Sequence, residues 1–167
     1  MKNLLKNNHW EDADKKTAQI MRFVADKKEQ EILEVKDMKN ISCPNLKEID
    51  KNWAKYSNGI FGFKKQKEIW IETGNSFSNQ PSEYPDKDKE AAYLRFISRV
   101  GWYDKNTNKL LESSQVINAV EKDYPTPNVR SGVLPYSALN DVFYVAGIHS
   151  LNYNFGPFFS RIEDCKL

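Results

Sequence analysis

The chain has 167 residues, the length of one ordinary domain and enough to bury a real core. Its 25 Lys and Arg against 23 Asp and Glu leave a net charge of +2, which argues against a protein built to coat nucleic acid or an anionic membrane surface. The aromatic content (9 Phe, 4 Trp and 8 Tyr against 7 Gly) excludes disorder and low-complexity classes, because that much aromatic surface offsets the ordering entropy of the chain.

The elements read mostly as helices. Trp10, Ala13, Thr17, Met21 and Val24 recur at helical intervals after Asn8. Glu11, Asp12 and Asp14 put acids in the first turn of that helix, where its dipole favours them, and Lys27 and Lys28 close it. A second short helix is predicted over Lys28 to Lys36 from Ile32, Leu33 and Val35. Ser42-Cys43-Pro44 is a start signal, after which Leu46, Ile49, Trp53 and Tyr56 share a face until Asn58-Gly59 stops the helix. Ile60 to Glu72 is ambiguous: Ile69 and Ile71 alternate as in a strand, whereas Phe63, Gln66/Lys67 and Trp70 repeat as in a helix.

Gly74 to Lys87 reads as a loop, dense in Ser, Asn and Pro. Asp88 to Arg99 returns to helix with Ala91, Leu94 and Ile97 on one side, then Trp102 and a turn through Asp104-Lys105-Asn106. Ser114 is placed to cap a helix bearing Val116, Ile117 and Val120, which Tyr124-Pro125-Thr126-Pro127 cannot continue. A second long loop runs to about Tyr136, and helical segments at Ser137 to Val145 and Pro157 to Cys165 finish the chain. The expectation is one all-α domain over residues 1–167 with two long loops, and loops of roughly 12–14 residues often carry function.

Catalytic and metal chemistry find little support. His9 and His149 sit in no metal-ligand spacing, and Gly59-Ile60-Phe61-Gly62 lacks the strand and the Lys-Ser/Thr of a phosphate loop. Carboxylate pairs such as Glu11/Asp14 and Glu48/Asp50 are ordinary on solvated helix faces, so the chain is read as a non-enzyme. Cys43 and Cys165 form no CxxC pair, and two free thiols in a reducing compartment are expected, with a single distant bridge as the alternative. No apolar run reaches the ~18–20 residues that span a bilayer. The N-terminus has neither signal nor transit character, so the chain works where it is made or begins after processing.

The densest stretch is Cys43 to Glu72, where Trp53, Tyr56, Phe61, Phe63 and Trp70 interleave with Lys55, Lys64, Lys65 and Lys67. Three readings fit: a core helix pair with solvated lysines, a stacking platform for single-stranded nucleic acid, or a pocket for a large flat apolar anion. Near-zero net charge and few arginines weigh against nucleic acid.

These residues resemble the Genomes-Uncoupled-Four family, the tetrapyrrole-binding regulators of magnesium chelatase. The resemblance is carried by Trp10-Glu11-Asp12-Ala13-Asp14 with Thr17 and Met21, by Cys43-x-x-Leu46-x-x-Ile49-Asp50-x-x-Trp53, and by Tyr56-Ser57-Asn58-Gly59-x-Phe61-Gly62-Phe63-x-x-Gln66-x-x-Ile69-Trp70. Val100-Gly101-Trp102 and Ser160-Arg161-Ile162-Glu163-Asp164-Cys165-Lys166-Leu167 extend it over nearly the whole chain. It implies a cupped all-α domain whose loops form an apolar cleft for protoporphyrin IX or its magnesium derivative. It also implies stimulation of magnesium chelatase through that enzyme's porphyrin-carrying large subunit, by a monomer in a plastid (plastid-encoded) or in the cytoplasm of a photosynthetic prokaryote. Peripheral membrane association is left open. It suggests that Ile60–Glu72 is a loop leading into a helix. Gly132-Val133-Leu134-Pro135 departs from the family's usual Gly-His-Leu-Pro, Lys64-Lys65 replace small or apolar residues, and Leu111 to Arg130 aligns poorly.

A macrocycle with two propionates needs an apolar wall and cations at its rim, where Arg offers a bidentate fork. Arg99 and Arg130 are the rim candidates, and Phe61, Phe63, Trp102, Leu134, Pro135 and Tyr136 the wall candidates. Phe61, Trp102 and Tyr136 lead that set, while Trp10, Trp53, Tyr56 and Trp70 are assigned to the core. The competing reading is an interaction or sensor domain of the same fold that has lost or changed tetrapyrrole binding.

Overall fold

The computed structural model describes residues 1–77, 87–140 and 148–167. In chain order these form α1 (Lys2–Lys6), α2 (Trp10–Val24), a 3-10 helix (Val35–Asn40), α3 (Cys43–Tyr56), α4 (Phe63–Glu72) and α5 (Lys87–Val100). An antiparallel hairpin of β1 (Tyr103–Asp104) and β2 (Lys109–Leu110) precedes α6 (Ser113–Asp123), α7 (Ser137–Asn140) and α8 (Ile148–Asp164). The fold is mostly helical, as expected. Most of the loop over 74–87 and the end of the segment over Ser137–Val145 lie outside the described residues.

The helical periods became packing faces. α2 buries Trp10, Ala13, Thr17, Ala18 and Met21, and α3 buries Leu46, Ile49 and Trp53. The ambiguous stretch resolves as a turn leading into α4, because Gly62, at φ 120°, breaks the chain before Phe63, and the Asp50 carboxylate accepts the Lys64 N–H at 2.9 Å. Phe63, Gln66, Lys67, Ile69 and Trp70 then face inward at helical spacing. Two aromatic groups fill the centre. Trp10 meets Trp53, Phe61 and Tyr124 with ring centroids 6.2, 5.3 and 4.8 Å away. Trp70, Phe96, Trp102, Phe155 and Phe159 form the second, with Phe96 edge-on to Trp70 at 5.2 Å and to Trp102 at 5.6 Å. Three buried indole N–H groups have named acceptors: Trp53 donates to Thr17 Oγ1 at 3.0 Å, Trp70 to Ser76 O at 3.1 Å and Trp102 to Val133 O at 2.8 Å.

Several local expectations are corrected. The chain from Ala25 to Glu34 is irregular, so the helix expected over Lys28 to Lys36 does not form and the 3-10 helix starts only at Val35. Ile32 stays exposed beside buried Leu33, so no apolar face forms, and Arg22 Nε instead donates to Glu31 O at 3.1 Å. α2 ends at Val24, short of Lys27 and Lys28. Asp14 lies past its first turn, buried, and binds main chain elsewhere. The turn expected through Asp104-Lys105-Asn106 is present as that of the β1–β2 hairpin, with Asp104 accepting the Asn106 N–H at 2.9 Å and the Thr107 hydroxyl at 2.8 Å. α6 is capped by Glu112, not Ser114, through a reciprocal capping box with Gln115. On α5 the buried face is Ala92, Tyr93, Phe96, Ile97 and Val100, leaving Ala91 and Leu94 half-buried.

α8 starts at Ile148 and runs through Pro157, where a start at the proline was expected. An interior proline costs about 3 kcal/mol, and burial of Phe155, Phe158, Phe159 and Ile162 on the same helix outweighs it. Cys43 and Cys165 are joined in a disulfide with Cα atoms 5.1 Å apart, so the expectation of two free thiols does not hold. The tertiary fold brings these distant positions together: Arg161 Nη2 donates to Ile41 O at 3.0 Å, seating the end of α8 against the start of α3.

Candidate functional site

The second long loop, Tyr124 to Tyr136, is fixed through its main chain. Gly62 N–H donates to Leu134 O at 3.0 Å and Gly132 N–H to Ile60 O at 2.8 Å, pairing the α3–α4 turn with the loop. Gln66, fully buried on α4, donates from Nε2 to Gly132 O at 3.0 Å and Pro135 O at 2.9 Å, and its Oε1 has no hydrogen-bond partner. Asp14 accepts the N–H groups of Tyr136 and Ser137 at 2.8 and 2.9 Å, and Tyr136 donates its hydroxyl to Leu111 O. Together these hold Gly132–Ser137 against α2, α4, the α3–α4 turn and the segment between β2 and α6.

Outside this ladder the loop faces solvent beside α5. Ala91, Leu94 and Tyr103 floor an open shelf of about 720 Å³, which Thr73, Ser98, Arg95, Arg99, Lys105 and Arg130 complete. Among the described residues four cations and no carboxylate thus border an apolar floor. Arg95 Nε donates to Thr73 O at 3.0 Å, and Arg130 Nη1 to Ser98 O at 2.5 Å, so both guanidiniums are held at the rim. A second cavity of about 450 Å³ lies on the other side of Arg99 and Arg130, bounded by Lys65, Ile69 and Glu72 of α4 and by Pro127 to Ser131 of the loop.

The structure divides the eight sequence candidates. Arg99 and Arg130 come together on the wall that both cavities share. Phe61, Phe63, Trp102, Leu134 and Tyr136 are at most 5 % exposed, and Pro135 is buried as well. Phe61 packs on Trp10 and Trp53, Phe63 on Phe158 at 5.1 Å, and Trp102 on Tyr136 at 5.3 Å. In this conformation these rings are core, beside Trp53 and Trp70. Sequence reasoning missed Arg95, Lys105 and Tyr103. Arg95 stands four residues before Arg99 on one helix face, a spacing that could have paired them.

Asp50 on α3 and Tyr93 on α5 are both shifted by burial. Burial pushes the Asp50 carboxyl above its ordinary range, against the Lys64 and Phe63 N–H groups that favour the charged form. Burial likewise raises the Tyr93 hydroxyl, which has no hydrogen-bond partner. Among the described residues no helix is long and apolar enough to cross a membrane, and no cluster of three metal-ligating side chains occurs.

The fold has a solved counterpart. The ligand-free structure of Arabidopsis thaliana GUN4 matches with a TM-score of 0.61 at 18 % identity, over 94 % of this chain and 87 % of that one. The uncharacterized protein ycf53 of Cyanidium caldarium is 25 % identical over 148 residues, which are 86 % of this chain but 56 % of that protein. This chain therefore spans little more than half of that relative. A family model described as GUN4-like matches residues 1–140. The chain belongs to the GUN4-like family.

Proposed function

We propose that residues 1–167 act as one non-catalytic tetrapyrrole-binding domain, which takes protoporphyrin IX or magnesium protoporphyrin IX and stimulates magnesium chelatase by contact with its porphyrin-carrying large subunit. The observation that carries this reading is the open shelf of about 720 Å³ with an apolar floor and a rim of Arg95, Arg99, Lys105 and Arg130. A flat dianion matches that chemistry: its face covers Ala91, Leu94 and Tyr103 while its carboxylates meet guanidiniums. Burying several hundred Å² at ~25 cal/mol/Å² is a gross gain on the order of 10 kcal/mol, and losses of motion reduce it to micromolar or somewhat tighter affinity. Of the sequence candidates Arg99 and Arg130 carry the rim, while Phe61, Phe63, Trp102, Leu134, Pro135 and Tyr136, buried in the core, take no part in the shelf.

The contact with a protein partner falls to the end of α2. Phe23 is 82 % exposed there, beside Ile20 and the cations Lys16, Arg22 and Lys27 around a cavity of about 360 Å³. The setting is a plastid or a photosynthetic prokaryote, and the working form is a monomer. Titration with deuteroporphyrin tests the reading: tryptophan fluorescence falls and the Soret band shifts, and Arg99→Ala weakens binding roughly tenfold. No spectral change at about tens of micromolar sinks it.

A further inference from the structure

The geometry points to a second ligand site in the 450 Å³ cavity between α4 and the second loop, one that takes a small diphosphate-bearing anion and shares its cations with the tetrapyrrole shelf. The walls carry Lys65, Arg99 and Arg130 against the carboxylate of Glu72, with Asn128 and Ser131 as neutral polar side chains and Glu68, behind the lining, paired to Lys65. Ile69 and Val129 add little apolar surface, so a macrocycle face gains nothing here, while a compact polyanion meets three cations converging from α4, α5 and the loop. Arg99 has no hydrogen-bond or ion-pair partner among the described residues, so its guanidinium is available. Arg130 is held in place: its stem lies over Gly101, where a Cβ would come within 2.6 Å of Arg130 Cδ, and Nη1 is anchored on Ser98 O. Lys65 is ion-paired with Glu68, which tunes the site without occupying it.

Because Arg99 and Arg130 line both cavities, an anion in one neutralises charge that the other needs. The two ligands therefore weaken each other reciprocally. That coupling rests on the tetrapyrrole reading, whereas the anion site itself does not.

Membership separates the two cavities. Lys65 borders only the polar one, and Arg95 and Lys105 border only the shelf. The full chain is titrated calorimetrically with inorganic pyrophosphate, at low and at moderate salt, and with adenosine diphosphate in parallel. Saturable pyrophosphate binding is expected, weakened roughly five- to tenfold by Lys65→Ala and by Arg130→Ala, and changed less than about twofold by Arg95→Ala. Glu68→Gln frees Lys65 and tightens binding. Tighter adenosine diphosphate binding identifies a nucleotide as the source, and equal binding a free diphosphate. Pyrophosphate also raises the apparent dissociation constant of deuteroporphyrin. Binding that is indifferent to Lys65→Ala, or lost equally in Arg95→Ala, is diffuse electrostatics and overturns the site. A chain that ignores deuteroporphyrin yet keeps the Lys65-dependent pyrophosphate titration loses the tetrapyrrole reading and retains this one.

Discussion

The Asp14 carboxylate on α2 accepts the backbone N–H of Tyr136, 122 residues further along, at 2.8 Å, and the N–H of Ser137 with its other oxygen. Asp14 is 1 % exposed, so its loss strands two buried donors. Asp14→Ala is expected to lower stability by about 2–4 kcal/mol, read as a fall in the urea midpoint with unchanged m-value. Asp14→Asn, which keeps one acceptor, costs less. Equal stability of wild type and Asp14→Ala would show that the second loop is held elsewhere.

Gly62 has φ 120°, and a Cβ there would lie 2.7 Å from Asp50 Oδ1. Gly62→Ala strains the backbone and pushes the carboxylate off the Lys64 N–H that it accepts. A loss of roughly 2 kcal/mol or more in thermal or urea unfolding is expected. Combining Gly62→Ala with Asp50→Gly relieves the clash, so a double variant no better than the sum of the singles counts against this mechanism.

Asp37 and Asp50 give opposite pH dependences. At Asp37 burial alone raises the carboxyl, but the Glu34 N–H and Lys27, 3.0 Å away, bring it below its ordinary value of 3.8. Its contribution to stability is therefore present above about pH 4 and lost as pH falls through the lowered value. At Asp50 the folded form holds its proton more tightly than the unfolded one, so stability declines as pH rises from 3.8 through the raised value. Urea unfolding between about pH 3 and 6 reads both. The advantage of wild type over Asp37→Asn grows with pH, and its difference from Asp50→Asn moves the other way.

The disulfide closes a separation of 122 residues, for which chain-entropy arguments give on the order of 4–5 kcal/mol. Reductant is expected to lower the melting temperature of wild type and to leave a Cys43→Ser/Cys165→Ser variant unmoved. Identical melting with and without reductant contradicts a structural role for the bond.

Most of the helical framework was legible because its apolar residues repeat on one face, as Leu46, Ile49 and Trp53 do on α3. The segment at Lys28 to Lys36 misled because Ile32 and Leu33 take opposite environments, which only the tertiary fold decides. Pairing of Cys43 with Cys165, and the tie from Asp14 to Tyr136, depend on helices meeting in space and leave no local mark. In the candidate site, arginine's chemistry singled out Arg99 and Arg130. The aromatic candidates were harder, since a ring that packs a core and a ring that lines a cleft look alike in sequence. Phe61 and Trp102 prove buried.

The contact between the α3–α4 turn and the second loop is made by main-chain atoms, Gly62 to Leu134 and Gly132 to Ile60, with Gln66 also reaching only carbonyl oxygens. Such a seam does not read the side chains that the loop turns to solvent, Pro127, Asn128, Arg130 and Ser131, whereas Val133 is itself buried. Evolution can therefore exchange those exposed residues without loosening the scaffold beneath them. The loop behaves as a replaceable faceplate on a fixed mount, and ligand preference can drift within this fold while its architecture stays constant.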